Sequence, residues 1–224
     1  VDAIVQVETK TAVSVEDAGI AQASQTIVRV PQGSIADLSF DLPKGLSIRG
    51  ISGPHMAGWE LNEENNQRRL RVFFSPAITE STTIHLDLFL DRKIDDTEST
   101  VEITTPTPLE VTRESEVIAV FSSDTFQVRS GQSDKVTRID VATSAGLLPE
   151  RPKSAGNSSA PRVAWRHVVR PYQAQFIVGR QAPKTTATVQ HAVLVSRRKV
   201  DISSLMAATL NGAPRASISF ELPE

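Results

Sequence analysis

The four histidines are the first residues to test for chemistry, because histidine is the commonest catalytic base and metal ligand. They are His55, His85, His167 and His191, and none has the spacing of an HxH or HExxH motif. His85 and Asp87 lie two residues apart on one predicted strand, which places both side chains on one face. A zinc site or an acid–base pair would need a further ligand, which the neighbouring sequence does not supply. We therefore interpret His85 and Asp87 as solvated residues on an outer sheet face.

Nucleophiles and paired carboxylates give no stronger signal. The chain has no cysteine, and it contains no Gly-x-Ser-x-Gly elbow. The carboxylate pairs Glu63-Glu64 and Asp95-Asp96 lie in predicted loops, where charge is typical of solvated side chains. The sequence thus predicts no catalytic residue, no cofactor-binding residue, no metal ligand and no cofactor.

Calcium is the best of the metal hypotheses. Asp91, Asp95 and Asp96 cluster in one short stretch, and oxygen-rich loops suit a hard cation. Arg92 and Lys93 lie within the same stretch, however, and no glycine-containing calcium loop accompanies it. The cluster remains a hypothesis that a calcium titration can test.

Two basic patches occur, one at Arg68, Arg69 and Arg71 and one at the predicted hairpin tip Arg197 to Lys199. Nucleic-acid binding needs such charges interleaved with exposed aromatic side chains. The chain has one tyrosine, two tryptophans and a formal net charge of −2. We interpret both patches as solvated turns and predict no nucleic-acid partner.

Exposed aromatic residues could also bind carbohydrate, because rings stack on sugar faces. Phe73 and Phe89 both lie on the predicted outer faces of strands and could form such a platform. Burial against a neighbouring module or beneath a loop explains them equally well. The tripeptide Asn157-Ser158-Ser159 fits the glycosylation sequon.

The elements that would position these residues are strands, because large apolar residues alternate with polar ones along most of the chain. The alternation is strictest in Leu38 to Leu42, which Pro43 ends because proline cannot donate to a ladder. No apolar stripe has the helical period. We predict an all-β, immunoglobulin-like β-sandwich with about seven strands in the first ninety-odd residues: Ala3–Val15, Ala21–Val30, Leu38–Leu42, Leu46–Ile51, Met56–Leu61, Leu70–Phe74 and Thr82–Leu90.

The charged stretch Asp91 to Asp96 is the predicted boundary between two regions, residues 1–95 and 96–224. The second region is also predicted to be sheet-rich. Its segment Gly146 to Pro161 is rich in Pro, Gly, Ser and Asn, which indicates a mobile loop or linker. Its predicted strands lie near Val101–Thr104, Val117–Ser122, Thr125–Arg129, Val136–Ala142, Arg162–Val169 and Gln173–Val178.

The opening of the chain recurs near its end, in residues 184–224. The strand Leu38 to Pro43 returns as Ile218 to Pro223, displaced by 180 residues. Thr185–Ser196 likewise resembles Ala3–Val15, and Val200–Leu210 resembles Ile20–Val30. Such self-similarity indicates a repeated module, although any two alternating strands have some likeness.

Alternation also predicts which side chains form the core. In the first region these are Leu38, Phe40, Leu42, Ile48, Trp59, Leu70, Val72, Ile84, Leu86 and Leu88. In the second region, Trp165 and Phe176 are predicted to be buried.

The strand trio ending in LSFDLPKGL, followed by ISGPHMAGWEL, an arginine-flanked strand and a Leu-rich strand, resembles a module of large extracytoplasmic bacterial proteins. Such proteins string β-sandwich units together. The resemblance covers roughly residues 1–90 and 184–224 and implies a stalk or scaffold. It implies no site residues.

The expected function is a non-catalytic structural or interaction module of a larger exported protein, at the periplasm, the cell surface or outside the cell. Neighbouring modules of the same longer chain are the expected partners. A carbohydrate- or protein-binding module, using a sheet face or edge, is the alternative. A hydrolase with a site built from distant strands is a further alternative. No apolar run is long enough to cross a membrane, so direct membrane insertion is not expected.

Overall fold

The computed structural model describes residues 3–65, 67–94, 97–150, 160–182 and 184–211. These residues form sixteen strands and a single three-residue 3-10 helix, Ala145–Leu147. The prediction of an all-β, sandwich-like fold is therefore confirmed. No helix in the described ranges is long and apolar enough to span a membrane. The strands are β1 (Ile4–Glu16), β2 (Gly19–Gln32), β3 (Ile35–Asp41), β4 (Leu46–Ser52), β5 (Met56–Glu64), β6 (Gln67–Ile78), β7 (Ser81–Leu90), β8 (Ser99–Glu102), β9 (Thr107–Pro108), β10 (Arg113–Ser122), β11 (Phe126–Asp134), β12 (Thr137–Arg138), β13 (Val163–His167), β14 (Gln173–Arg180), β15 (Lys184–Val195) and β16 (Val200–Asn211).

The largest sheet has seven strands in the order β12-β13-β10-β1-β2-β7-β4. Its central pair, β1 and β10, is parallel, with Gln6 opposite Arg113 and Val15 opposite Ser122. The predicted boundary at residue 95 falls between β7 and β8. The seven-stranded sheet thus joins strands from both sides of that position.

Two smaller sheets cover the inner face of the large one and create two apolar cores. The four-stranded sheet β5-β6-β3-β9 encloses the first core, and the three-stranded sheet β11-β14-β8 encloses the second. Strand β1 contributes Val5 and Val7 to the first core and Val13 and Val15 to the second. The same strand therefore lies beneath both small sheets.

A polar seam separates the two cores where hydroxyl side chains replace the valines of β1. Thr9 and Thr11 are buried, and their hydroxyl oxygens lie 3.3 Å from Thr26 Oγ1 and 2.9 Å from Ser24 Oγ on β2. Gln22 Nε2 donates to the Thr104 carbonyl at 3.1 Å. Buried polar groups are tolerated when they are hydrogen-bonded in this way.

The opposite, outer face of β1, β10 and β13 is covered by the segment that follows β12. Ala12, Phe121 and Ala164 are buried there, and Ile139 and Leu148 pack against them. Most of the predicted loop 146–161 lies outside the described residues, which exclude 151–159.

The predicted core is confirmed for all but two of its members. Trp165 and Phe176 are also buried as predicted. Ile48 is half-buried and packs against the first core. Trp59 was assigned wrongly, since its side chain is 45% exposed. It lies on β5, an edge strand of the four-stranded sheet, where a neighbouring strand is present on one side only.

Strands β15 and β16 form a separate two-stranded sheet, in the residues the structure describes. One face of this second hairpin carries apolar side chains that are exposed to solvent. They are Val189, Val193, Val195, Val200, Ile202, Met206 and Leu210.

We expect Phe40→Ala to lower the free energy of unfolding by about 3–5 kcal/mol, because it deletes a fully buried aromatic side chain. Chemical denaturation of both proteins measures this difference. Trp59→Ala is the matched control, and its cost is expected to be much smaller because Trp59 is half-exposed. Equal costs for the two variants would contradict the facing of β3.

A buried polar cluster

The most unusual group in the structure is the carboxylate of Glu116, which is 1% exposed. It lies on the inner face of β10, in phase with Ile118 and Val120 of the second core. Charged carboxylates are almost never fully buried unless they are paired. Its surroundings are therefore the candidate functional site.

Four side chains donate hydrogen bonds to Glu116. Oε1 accepts from Thr11 Oγ1 at 2.6 Å. Oε2 accepts from Thr105 Oγ1 at 2.8 Å, His167 Nε2 at 2.9 Å and an Arg170 guanidinium nitrogen at 3.1 Å. Both oxygens are thus engaged, and hydrogen bonds to an ionised group are the strong ones.

The cluster brings together four distant parts of the chain. Thr11 comes from β1, and His167 lies directly opposite Glu116 in the β10–β13 register. Thr105 follows β8, whereas Arg170 lies in the connection between β13 and β14. The cluster therefore joins the seven-stranded sheet to the segments that flank the three-stranded sheet.

Arg170 holds a second carboxylate. Its Nε lies 2.7 Å from Glu114 Oε1, and the guanidinium also donates to the Pro106 carbonyl at 3.3 Å. Burial opposes the charge of Arg170, but the carboxylates of Glu116 and Glu114 hold its pKa above the ordinary value. The guanidinium is therefore the permanent cation of the cluster.

Tyr172 completes the cluster through Thr105. The hydroxyl of Tyr172 lies 2.8 Å from Thr105 Oγ1. Because Thr105 donates its single proton to Glu116, Tyr172 must be the donor in this pair. Its ring stacks on His167 with centroids 4.0 Å apart. Burial raises the pKa of Tyr172, and the charge of Glu116 raises it further.

The cluster contains a group of potential metal ligands. One ligand atom from each of Glu114, Glu116 and His167 lies within 4.8 Å of the others. A cation at this place would compete with Arg170, which contacts both carboxylates. In this structure the two carboxylates are bonded by the Arg170 guanidinium and by the hydroxyls of Thr11 and Thr105.

An open groove of about 350 Å³ lies beside the cluster, lined in part by Pro43, Ile103, Thr105, Arg170 and Tyr172. The polar side chains that Thr105, Arg170 and Tyr172 present here are the ones bonded within the cluster. Glu102, Thr104 and Thr107 complete the polar lining of the groove.

The sequence did not single out Glu116, although a signal was present. An acidic residue opens the apolar run of β10 and has the same parity as Ile118 and Val120. Alternation alone would place its side chain in the core. Of the four histidines, the structure brings His167 into the cluster and leaves the other three outside it.

The other histidines lie at the surface. His85 and Asp87 are exposed on the outer face of β7, as predicted, and line a shallow cleft with Lys10 and Glu150. His55 lies in the turn between β4 and β5. On β15, Nδ1 of the exposed His191 is 2.8 Å from Ser204 Oγ.

The first basic patch is neutralised by neighbouring carboxylates. Arg68 pairs with Glu63 at 2.7 Å, and Arg71 pairs with Asp37 at 2.9 Å. Arg69 lies 3.7 Å from Asp41. The second patch, at residues 197–199, forms the tip of the second hairpin as predicted.

Phe73 and Phe89 do not form a common platform. Phe73 lies on β6 of the four-stranded sheet, and Phe89 lies on β7 of the seven-stranded sheet. Each ring is also covered by a guanidinium, with Arg71 5.1 Å from the Phe73 centroid and Arg49 3.6 Å from that of Phe89. The proposed sugar-stacking surface is therefore absent at these two residues.

Two of the sequence hypotheses fall on residues outside the described ranges. The calcium hypothesis depends on Asp95 and Asp96 in addition to Asp91, and only Asp91 is described. The sequon Asn157-Ser158-Ser159 is also outside these ranges.

Comparisons with known proteins give structural matches only. No family model matches the chain, and no curated protein matches it. The M1 zinc metallopeptidase of Deinococcus radiodurans matches with a TM-score of 0.43 and 9% identity over 99% of this chain and 50% of that chain. A mutant M1 zinc metallopeptidase of the same organism, bound to a Tyr-Ser-Ala substrate, matches with a TM-score of 0.42 and 9% identity over 91% of this chain and 47% of that chain. The chain spans about half the length of these structures, and similarity at this level carries no conclusion about its function.

We expect Tyr172 to remain protonated above its ordinary pKa of about 10 for as long as the protein is folded. The unfolded chain loses that proton first, so the stability contributed by this group is present below pH about 10 and is lost as the pH rises beyond it. Tyr172 is the single tyrosine of the chain, so the ultraviolet absorbance of tyrosinate reports this site alone.

The same titration in concentrated urea is the control and should show the ordinary pKa. Glu116→Gln should lower the pKa of Tyr172 in the folded protein, because it removes a nearby negative charge. An ordinary tyrosine titration in the folded wild-type chain would contradict the burial of this hydroxyl.

Proposed function

We propose that this chain is a non-catalytic structural or interaction module of a larger exported protein built from repeated units. The observation that supports this most directly is the closure of the Glu116 cluster. Its base and its cation are both bonded to its acid, and the cluster joins the seven-stranded sheet to segments that flank the three-stranded sheet. Catalysis needs such groups to be directed at a bound substrate.

The energetics of the cluster support a structural role. A buried charge that loses one partner is strongly destabilised, because its desolvation is no longer compensated. Thr11, His167 and Arg170 are therefore held in place, because loss of any of these partners would leave the buried carboxylate less well compensated. A group of this kind connects the layers of a sandwich.

The repeated unit is supported by the second hairpin. Strands β1 to β14 form the first unit. Strands β15 and β16 follow it and form a hairpin whose sequence resembles that of β1 and β2. The resemblance of the chain to β-sandwich repeats of extracytoplasmic bacterial proteins supports the exported location. Neighbouring units are then the natural partners.

The alternatives have less support. Carbohydrate binding by Phe73 and Phe89 has no common stacking surface, because the two residues lie on different sheets. A partner protein could still add to the edge strand β5, which carries the exposed Trp59. A hydrolase would need the Glu114, Glu116 and His167 group to be released from Arg170.

We expect Glu116→Gln to lower the free energy of unfolding by about 3–5 kcal/mol, because it breaks a buried charged network. Urea denaturation followed by tryptophan fluorescence measures this change, since Trp165 is buried in the folded protein. Glu8→Gln is the matched control, since Glu8 pairs with Arg29 at the surface and exposed pairs contribute about 0–1 kcal/mol.

An enzyme site predicts the opposite result, because replacing a catalytic residue often raises the stability of the protein. A Glu116→Gln protein that is as stable as wild type, or more stable, would therefore contradict the proposed function. Zinc binding by calorimetry that disappears in His167→Ala would contradict it independently.

A further inference from the structure

The two hairpins of the chain have equivalent strand registers next to their turns. Val15 pairs with Ile20 across the first turn, and Val195 pairs with Val200 across the second. Each residue of the second pair is displaced by 180 positions from its counterpart in the first. The strand Leu38 to Pro43 and its copy differ by the same 180 positions.

The equivalence extends to a polar pair in the middle of each hairpin. Thr11 is opposite Ser24 in the first hairpin, with their hydroxyl oxygens 2.9 Å apart. At the corresponding place in the second hairpin, His191 Nδ1 is 2.8 Å from Ser204 Oγ. Each hairpin therefore has a side-chain hydrogen bond between its two strands, at equivalent positions.

The corresponding faces differ in what covers them. In the first hairpin, Val7 and Val28 are buried in the same core as Phe40 of β3. Their counterparts in the second hairpin, Ala187 and Ala208, are exposed. An apolar sheet face of this kind normally packs against a second layer.

The chain carries a segment that matches the covering strand of the first unit. In β3, Leu38 and Phe40 point into the first core, and Leu42 follows them into it. The sequence Ile218 to Pro223 repeats this alternation, with Ile218, Phe220 and Leu222 at the equivalent positions. These residues lie outside the described ranges.

We propose that the half of the second hairpin face that is farther from its turn, around Ala187 and Ala208, is the docking surface for Ile218 to Pro223 of the same chain. The docking depends on the proposed function, because only a repeated unit would place this segment on the second hairpin as β3 is placed on the hairpin of β1 and β2. The contact is the start of a second apolar core, equivalent to the first.

Cysteine labelling tests the docking directly, because the chain has no cysteine of its own. Ala208→Cys places a thiol on the proposed docking face. Ala207→Cys is its matched control, since adjacent strand residues point to opposite faces and both alanines are exposed. We expect a thiol reagent to label Ala208→Cys about tenfold more slowly than Ala207→Cys.

A second substitution identifies the occupant. In the Ala208→Cys background, Phe220→Asp should restore fast labelling, whereas Phe220→Leu should preserve the protection. Equal labelling of Ala207→Cys and Ala208→Cys would overturn the inference. Protection that survives Phe220→Asp, or that increases with protein concentration, would also overturn it, and the latter would show that a second copy of the chain covers this face.

The labelling result is separable from the test of the proposed function. If the two cysteines react equally while Glu116→Gln still destabilises the first unit, the docking is wrong and the structural role remains. If Glu116→Gln leaves stability unchanged, the structural role fails whatever the labelling shows.

Discussion

A carboxylate that is removed from water must be compensated, and the organisation of the first unit follows from this requirement at Glu116. The uncompensated ion would be very costly in an apolar interior. Thr11, Thr105, His167 and Arg170 supply the compensation from four separate parts of the chain. These donors come from β1, from β13 and from the segments that follow β8 and precede β14.

The cluster also explains why one large sheet is covered by two small ones. Along β1 the inner face changes from valine to threonine and back to valine, so two apolar cores are separated by a polar seam. Each small sheet covers one apolar core. Two hydroxyl pairs and the Glu116 cluster bond most of the polar groups of the seam, whereas Gln22 Oε1 and His167 Nδ1 are buried without a hydrogen-bond partner.

Near its turn, the second hairpin has an apolar face that no other described strand covers. Val193, Val195, Val200 and Ile202 correspond in register to inner-face positions of the first hairpin, yet they are more than half exposed. Backbone pairing alone is enough to define the register and the turn. Burial of the apolar face requires a second layer.

Local alternation was sufficient to locate most strands, their facing and most of the core, because a period of two residues depends only on neighbours in the chain. It was wrong over most of Val136–Ala142, where only Thr137–Arg138 is a strand. It placed Phe40, Trp165 and Phe176 correctly in the interior. It failed at Trp59, because the position of a strand at the edge of a sheet depends on partners distant in sequence. For the same reason, only the tertiary structure showed that β1 lies beside β10 and that Glu116 meets His167 and Arg170. Contacts between strands a hundred residues apart are determined by packing and charge compensation, which no local pattern records.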